Sequence, residues 1–171
     1  DTLLLESDII FEDSVLNSLT DDPRDSLALA AKYESWMDGT CLVLSDQDDI
    51  EAMIPGKKFR FSDTEHYYKT VNLYKFSQEF SRTHYVPFLE AYTKALGNNE
   101  YYEQVLKVLV TLDDPGIKAK RLDENQRWYE IDDIQDLNIA ESIFAPEKER
   151  THLIQKRFGG YWRYPKMLDF C

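Results

Sequence analysis

Apolar and β-branched residues recur along this chain in short runs, separated by polar stretches that contain proline, glycine or aspartate. The runs at 2–10, 26–34, 39–45 and 66–76 have the composition of strands. We predict that the first of them is buried on both sides in a parallel sheet. In the fourth, alternation places the even-numbered residues on one face and the odd-numbered residues on the other.

Other segments carry apolar residues three or four positions apart, which is the spacing of amphipathic helices. These segments lie at 12–19, 77–96, 98–110, 134–144 and 146–157, and Pro87 interrupts the second. A further pair of strands is predicted at about 118–122 and 127–132. Because strands and helices alternate, the fold class is α/β, with a mostly parallel mixed sheet and flanking helices.

The composition changes near residue 146, where a charged helix begins and a segment rich in glycine, aromatic residues and proline follows. We therefore expect one domain at 1–145, and a helix and linker toward an absent following domain at 146–171. The chain starts at Asp1 without methionine and reaches an apolar run almost at once. This start predicts a piece cut from a longer protein.

The chain carries 32 acidic and 20 basic residues, for a net charge of -12. This charge disfavours a broad surface for nucleic acid or for an anionic membrane. Neither a secretory signal nor a long apolar span is evident. Cys41 and Cys171 do not suggest a disulfide framework, so we predict a cytoplasmic location. The histidines do not show metal-ligand spacing.

Two pairs of carboxylates lie two residues apart at predicted strand ends, Glu6 with Asp8 and Glu130 with Asp132. Each pair should project from one strand face. Oxygen ligands of this kind suit Mg²⁺, and a divalent cation would relieve the repulsion if the pairs converge. Alternatively the first pair only caps or solvates a loop. Asp132 or Asp133 is expected to cap the following helix while the other binds.

Lys69 lies in a strand with aromatic neighbours, where its ammonium can reach phosphate oxygens. The alternative is an aliphatic stem packed on a half-exposed strand with its charge in water. Asn72, three residues later, either binds a ligand or stabilises an edge. Without a Gly-x-Ser-x-Gly motif or a Cys–His pairing, the sequence does not point to a covalent nucleophile. The Walker and Gly-x-Gly-x-x-Gly motifs for binding nucleotide phosphates are also absent from it.

Four segments in this order resemble the sugar-phosphate and cholinephosphate nucleotidyltransferases, which have the nucleotide-diphospho-sugar transferase (Rossmann-like) fold: LLLESDIIF, ALAAKYESWMDGT, HYYKTVNLYKFS and WYEIDDIQDLNIAESIF. The resemblance implies that Asp8, Glu130 and Asp132 hold Mg²⁺. It also implies that Lys69 faces the substrate phosphate, which makes Lys69 and Asp8 the expected catalytic residues. We expect Glu6, Asn72 and Lys32 to bind substrate.

The implied reaction transfers a nucleotidyl group from a nucleoside triphosphate to a small phosphorylated acceptor, such as a sugar phosphate or phosphocholine, and releases pyrophosphate. The family's glycine-rich nucleotide-binding loop is not found in this sequence, so we expect the isolated chain to bind nucleotide poorly. The segment 158–171 resembles a junction with a pyridoxal-phosphate aminotransferase domain. The alternatives are a glycosyltransferase of related fold and a non-catalytic domain; the latter would cover an exposed sheet edge by forming a homodimer.

Overall fold

The computed structural model describes residues 1–97 and 102–146. These residues belong to two compact units, Asp1–Trp128 and a second that begins at Tyr129. The helix and linker expected at 146–171 lie, apart from Pro146, outside the described residues. Across the described ranges, every helix is too short or too polar to cross a bilayer.

The strands follow the chain in the order β1 Thr2–Leu5, β2 Ile9–Phe11, β3 Leu27–Lys32, β4 Cys41–Leu44, β5 Ile50–Ile54, β6 Tyr67–Phe76, β7 Lys118–Arg121 and β8 Trp128–Glu130. The α-helices are α1 Asp13–Thr20, α2 Gln78–Phe80, α3 Val86–Leu96, α4 Glu103–Leu109 and α5 Ile134–Phe144. Short 3₁₀ segments lie at Gly56–Lys58 and Phe61–His66. A π-helical turn at Ser81–Tyr85 joins α2 to α3, directly before Pro87.

A six-stranded sheet forms the first unit, with the order β5-β4-β6-β3-β7 and with β1 paired to β6. The α/β class and the mixed sheet with flanking helices are confirmed. In this sheet β3 and β7 are parallel, whereas the pairings β1–β6, β3–β6, β4–β5 and β4–β6 are antiparallel. More strand pairings are antiparallel than the sequence predicted. The reason is that tight turns, such as Ser45–Asp49, join neighbouring strands that run in opposite directions.

The first apolar run does not form the single buried strand that its sequence predicts. The strand β1 ends at Leu5, the chain turns at Ser7 and Asp8, and β2 starts at Ile9. Leu3 and Leu5 are each 42% exposed. The expectation of burial on both sides is therefore wrong, because the polar stretch between the strands forms a turn.

Apolar side chains form separate core clusters around β6. Tyr74 and Phe76 pack with the buried side of α4, including Leu106. Val71 and Leu73 instead pack in the cluster that contains α1 and the indole of Trp128. The even-numbered and odd-numbered residues of β6 thus reach different cores, which confirms the predicted alternation.

Candidate functional site

The acidic residues between β1 and β2 form what we call the Glu6–Asp8 turn. Asp8 is exposed, whereas Glu6 is half-buried. The backbone N–H of Glu6 donates to the carbonyl oxygen of Asn72 over 3.2 Å. The two carboxylates therefore occupy a turn and not one face of a continuous strand, which corrects the expected geometry.

Asn72, which accepts the hydrogen bond from Glu6, lies at an irregularity in β6. Ala28 pairs with Tyr74 and Ala30 pairs with Thr70, so β6 contains two more residues than β3 between these pairs. Asn72 has a φ of 59°, in the left-handed region that asparagine tolerates better than most residues. The conformation is that of a bulge, and bulges re-aim backbone and side-chain groups. Asn72 is nearly buried, with 5% exposure.

Tyr102, immediately before α4, holds the side chain of Glu6. Its hydroxyl donates to Glu6 Oε1 over 2.8 Å. Burial raises the pKa of Glu6, while the hydrogen bonds from Tyr102 and Asn72 lower it. Burial also raises the pKa of the Tyr102 hydroxyl, so this group stays protonated and remains a donor. The ring of Tyr102 meets the ring of Tyr74 edge to face at 6.0 Å.

Lys69 is nearly fully buried, with 2% exposure, beneath the loop that precedes β4. Its Nζ donates to the Thr70 carbonyl oxygen over 3.0 Å. A Cβ built on Gly39 would lie 3.6 Å from this nitrogen, so the glycine turn packs directly on the ammonium. Burial raises the pKa of neighbouring Cys41 to about 11, although the charge of Lys69 opposes the shift. Cys41 is therefore a thiol at neutral pH.

A polar contact connects this loop to α4. Thr40 Oγ1 donates to Glu103 Oε2 over 2.9 Å, and Lys107 lies 3.8 Å from the same carboxylate oxygen. The carbonyl oxygen of Thr40 accepts a hydrogen bond from the Thr70 hydroxyl over 3.2 Å. Two adjacent residues at the start of α4 thus contact both regions: Tyr102 contacts the Glu6–Asp8 turn, and Glu103 contacts the loop that lies over Lys69.

Lys32 occupies a different environment at the exposed end of β3. Its Nζ donates to the backbone carbonyl of Glu65. The same nitrogen lies 4.7 Å from the centre of the Tyr68 ring, a cation–π distance. Its expected role in substrate binding remains a prediction.

The second unit contains the other acidic group, which we call the Glu130–Asp136 turn. Asp133 caps α5 and accepts hydrogen bonds from the backbone of Gln135 and Asp136, over 2.6 and 3.1 Å. Asp136 returns the contact by accepting from Asp132 and Asp133 backbone N–H groups, each over 3.2 Å. This capping box confirms that one of the two aspartates caps the helix and identifies it as Asp133.

Glu130 and Asp132 bring carboxylate oxygens within 4.8 Å of each other. Two oxygens bound to one Mg²⁺ lie at most about 4.2 Å apart, since each lies about 2.1 Å from the ion. The two carboxylates are thus near the spacing that one cation needs, and carboxylate oxygen is a ligand type that Mg²⁺ prefers. Asp132 is exposed, so its carboxylate is accessible.

The structure thus brings Glu6 and Asn72 together and, separately, Glu130 and Asp132. The sequence did not single out Tyr102, which lies in the segment 98–110 that shows only helical spacing. Its partner is 96 positions away, and nothing in the local sequence indicates the pairing.

Comparison with known structures defines the class of fold. The chain superposes on CTP:phosphocholine cytidylyltransferase from Streptococcus pneumoniae with a TM-score of 0.63 and 19% identity, covering 82% of this chain and 56% of that one. A glucose-1-phosphate thymidylyltransferase from Bacillus anthracis gives 0.57 and 11%, over 82% and 53%. The inositol-1-phosphate CTP transferase from T. maritima gives 0.50 and 20%, over 94% and 57%. The fold is that of the nucleotidyltransferases, which confirms the resemblance.

A curated relative adds sequence similarity to this likeness of fold. The chain is 29% identical over 166 residues to the CMP-5'-(3-aminopropyl)phosphonate synthase of Streptomyces rubellomurinus, covering 96% of this chain. The chain spans only 26% of that relative's length and slightly more than half of each structural relative. None of the protein-family models matches it.

Proposed function

We propose that the protein containing this chain transfers a nucleotidyl group from a nucleoside triphosphate to a small phosphorylated or phosphonylated acceptor. The similarity to a CMP-phosphonate synthase along nearly the whole chain carries the proposal. An oxygen of the acceptor's phosphate or phosphonate attacks the α-phosphorus of the triphosphate. The bond from that phosphorus to the bridging oxygen breaks, and pyrophosphate leaves.

Cytidine triphosphate is the nucleotide that we propose, because the curated relative's name contains CMP. The same name makes an aminoalkylphosphonate the first acceptor to test. A phosphonate oxygen resembles a phosphate oxygen as a nucleophile, so phosphocholine and inositol 1-phosphate are the next candidates. Two of the structural relatives are named as enzymes that use CTP, which agrees with this choice of base, although those likenesses concern the fold.

Mg²⁺ is the cation that we propose, with Glu130, Asp132 and Asp8 as candidate ligands. The close carboxylate oxygens of Glu130 and Asp132, and the exposure of Asp8, suit a hard cation. When bound, such a cation supplies neutralisation of the charge on the triphosphate and pyrophosphate oxygens.

Lys69 supplies a fixed positive charge in this proposal. Its ammonium lies beneath the Gly39 turn, and the glycine adds no side chain over the charge. A phosphate oxygen that approaches this turn would be stabilised without requiring the lysine to move into water. The contribution of Lys69 is therefore electrostatic, and Glu6, Asn72 and Lys32 remain proposed contributors to substrate binding.

The decisive assay measures pyrophosphate release from CTP, UTP and GTP with 3-aminopropylphosphonate, phosphocholine or inositol 1-phosphate. It should use this chain and any longer protein that contains it, with and without Mg²⁺. We expect metal-dependent formation of a CMP conjugate. Consumption of a ready-made nucleotide sugar without pyrophosphate release would instead indicate a glycosyltransferase. A well-folded longer protein without either activity would contradict the proposal.

The aminotransferase domain, the homodimer and the cytoplasmic location also remain proposals. The curated relative is long enough to contain a further domain beside the part matched here. Sequencing the complete reading frame tests the first, and light scattering tests the second.

A further inference from the structure

The Glu6–Asp8 turn is held at both ends, by hydrogen bonds of Glu6 at its start and by the packing of Ile9, directly after it, against the core cluster that contains Val71 and Leu73. Glu6 receives the Tyr102 hydroxyl at 2.8 Å and donates its own N–H to the Asn72 carbonyl oxygen at 3.2 Å. Ser7 and Asp8 are exposed. The conformation of this exposed pair therefore depends on its two flanking residues, and Glu6 provides the polar anchor on the side that precedes it.

Tyr102 is a well-fixed donor for this purpose. It precedes α4, whose residues Val105, Leu106 and Leu109 are buried. Its ring packs edge to face on Tyr74, which is itself 1% exposed. The hydroxyl of a packed tyrosine restrains a carboxylate more strongly than an exposed side chain would. The packed side chain has little conformational entropy left to lose when the hydrogen bond forms.

We infer that Tyr102 is a positioning residue that acts through Glu6 to hold Asp8 in its metal-binding orientation. The inference rests on the proposed function, which assigns Asp8 to the cation. Tyr102 itself does not touch the cation or the substrate in this proposal. Its hydroxyl fixes the carboxylate of Glu6, Glu6 fixes the start of the turn, and the turn presents Asp8.

The test compares Mn²⁺ affinity, measured by isothermal titration of the 171-residue chain, among wild type, Tyr102→Phe and Asp8→Asn. Loss of a supporting hydrogen bond near a ligand lowers metal affinity by about 10-fold at the lower end of the usual range, and we expect this for Tyr102→Phe. Amide hydrogen exchange at Ser7–Ile9 should accelerate in the same variant. Asp8→Asn should lower the affinity at least as much.

Tyr85→Phe is the matched control, since Tyr85 packs beside the same core and its ring lies tilted against Phe76, with ring centres 4.8 Å apart. It should leave both readouts unchanged. Glu6→Gln keeps an oxygen that accepts from Tyr102 and should retain most of the affinity. An equal loss in Glu6→Gln and Asp8→Asn would overturn the inference, because Glu6 would then be a ligand.

The two ways of failing can be separated. If Asp8→Asn loses Mn²⁺ affinity while Tyr102→Phe retains both affinity and slow exchange, the positioning role alone is overturned. If wild type does not bind Mn²⁺, or Asp8→Asn binds it as wild type does, the assignment of Asp8 in the proposed function fails and the inference fails with it.

Discussion

Two acidic turns with the same Glu-x-Asp spacing are supported by the protein in different ways. The Glu6–Asp8 turn is held from a distance, by Tyr102 and by the bulge at Asn72. The Glu130–Asp136 turn is held by its own neighbours, through the capping box of Asp133 and Asp136. Identical spacing in sequence therefore does not imply identical geometry, because one motif depends on tertiary contacts and the other largely on local ones.

This difference predicts which substitutions affect each turn. Changes deep in the first unit should disturb the first turn, whereas only adjacent changes should disturb the capping of the second. Both turns should nevertheless lose function when a ligand carboxylate is removed.

The largest effect is expected from removing the exposed carboxylate of the first turn. Asp8→Asn should lower metal-dependent turnover by about 100-fold or more, since even supporting residues near a metal ligand cost 10–100-fold. Because Asp8 is exposed, the melting temperature should change little. Pyrophosphate release and thermal unfolding, with exposed Asp46→Asn as the control, check this. Full activity in Asp8→Asn would remove Asp8 from the site.

The next effect concerns the core behind Tyr102. Leu106→Ala should lower the free energy of unfolding by about 3 kcal/mol, because it opens a cavity at a residue that is 2% exposed. Leu137→Ala on α5 removes the same side chain at an exposed position and should cost less than about 0.5 kcal/mol. Urea denaturation compares the two. Equal costs would show that the second turn also depends on a packed core.

A third acidic turn, at Asp22, sharpens the comparison through its dependence on pH. Hydrogen bonds from Arg24 at 2.8 and 2.9 Å hold the pKa of Asp22 well below its usual range. A lowered pKa stabilises the fold above the ordinary value of 3.8 and loses this effect as the pH falls. Asp22→Asn should therefore cost about 1–2 kcal/mol at neutral pH.

The difference in stability between wild type and Asp22→Asn should begin to narrow as the pH falls through 3.8. Thermal unfolding at several pH values measures it, and exposed Asp21→Asn is the control. A gap that stays constant with pH would show that the arginine contact does not stabilise the fold.

The smallest effect is expected from removing the helix cap that supports the second turn. Asp133→Ala removes the acceptor for two backbone N–H groups and should destabilise α5 by about 1 kcal/mol. Far-ultraviolet circular dichroism during thermal unfolding measures the change. Exposed Glu141→Ala, later in the same helix, should have a smaller effect. Equal effects would argue against the cap.

The sequence predicted the elements whose signals are local. Alternation identified β6, and helical spacing identified α1, α5 and the end of α3 at Leu96. The strand β5 was missed because its segment, DQDDIEAMI, looks polar as a whole. Its hairpin with β4 becomes evident only when Ile50 is seen to be buried.

The candidate site was less predictable, since its decisive contacts join distant positions. The sequence identified Glu6 and Asn72 separately, but not the bulge that makes them meet. The alternatives for Lys69 were a phosphate ligand or a stem with its charge in water, and the structure places its ammonium inside the protein. The ammonium is buried because the Gly39 turn lies above it. Nothing in the sequence around Lys69 indicates this contact.

The bulge at Asn72 also restricts how this protein can evolve. A β-branched residue there would be strained at a φ of 59°, so valine or isoleucine should be lost from a library selected for folding. Glycine accepts the backbone but cannot offer the side-chain hydrogen bond to Glu6, and aspartate would add a second negative charge beside it. One position in the middle of a long strand is thereby nearly closed to substitution, although the residues around it can vary within the limits of an ordinary core.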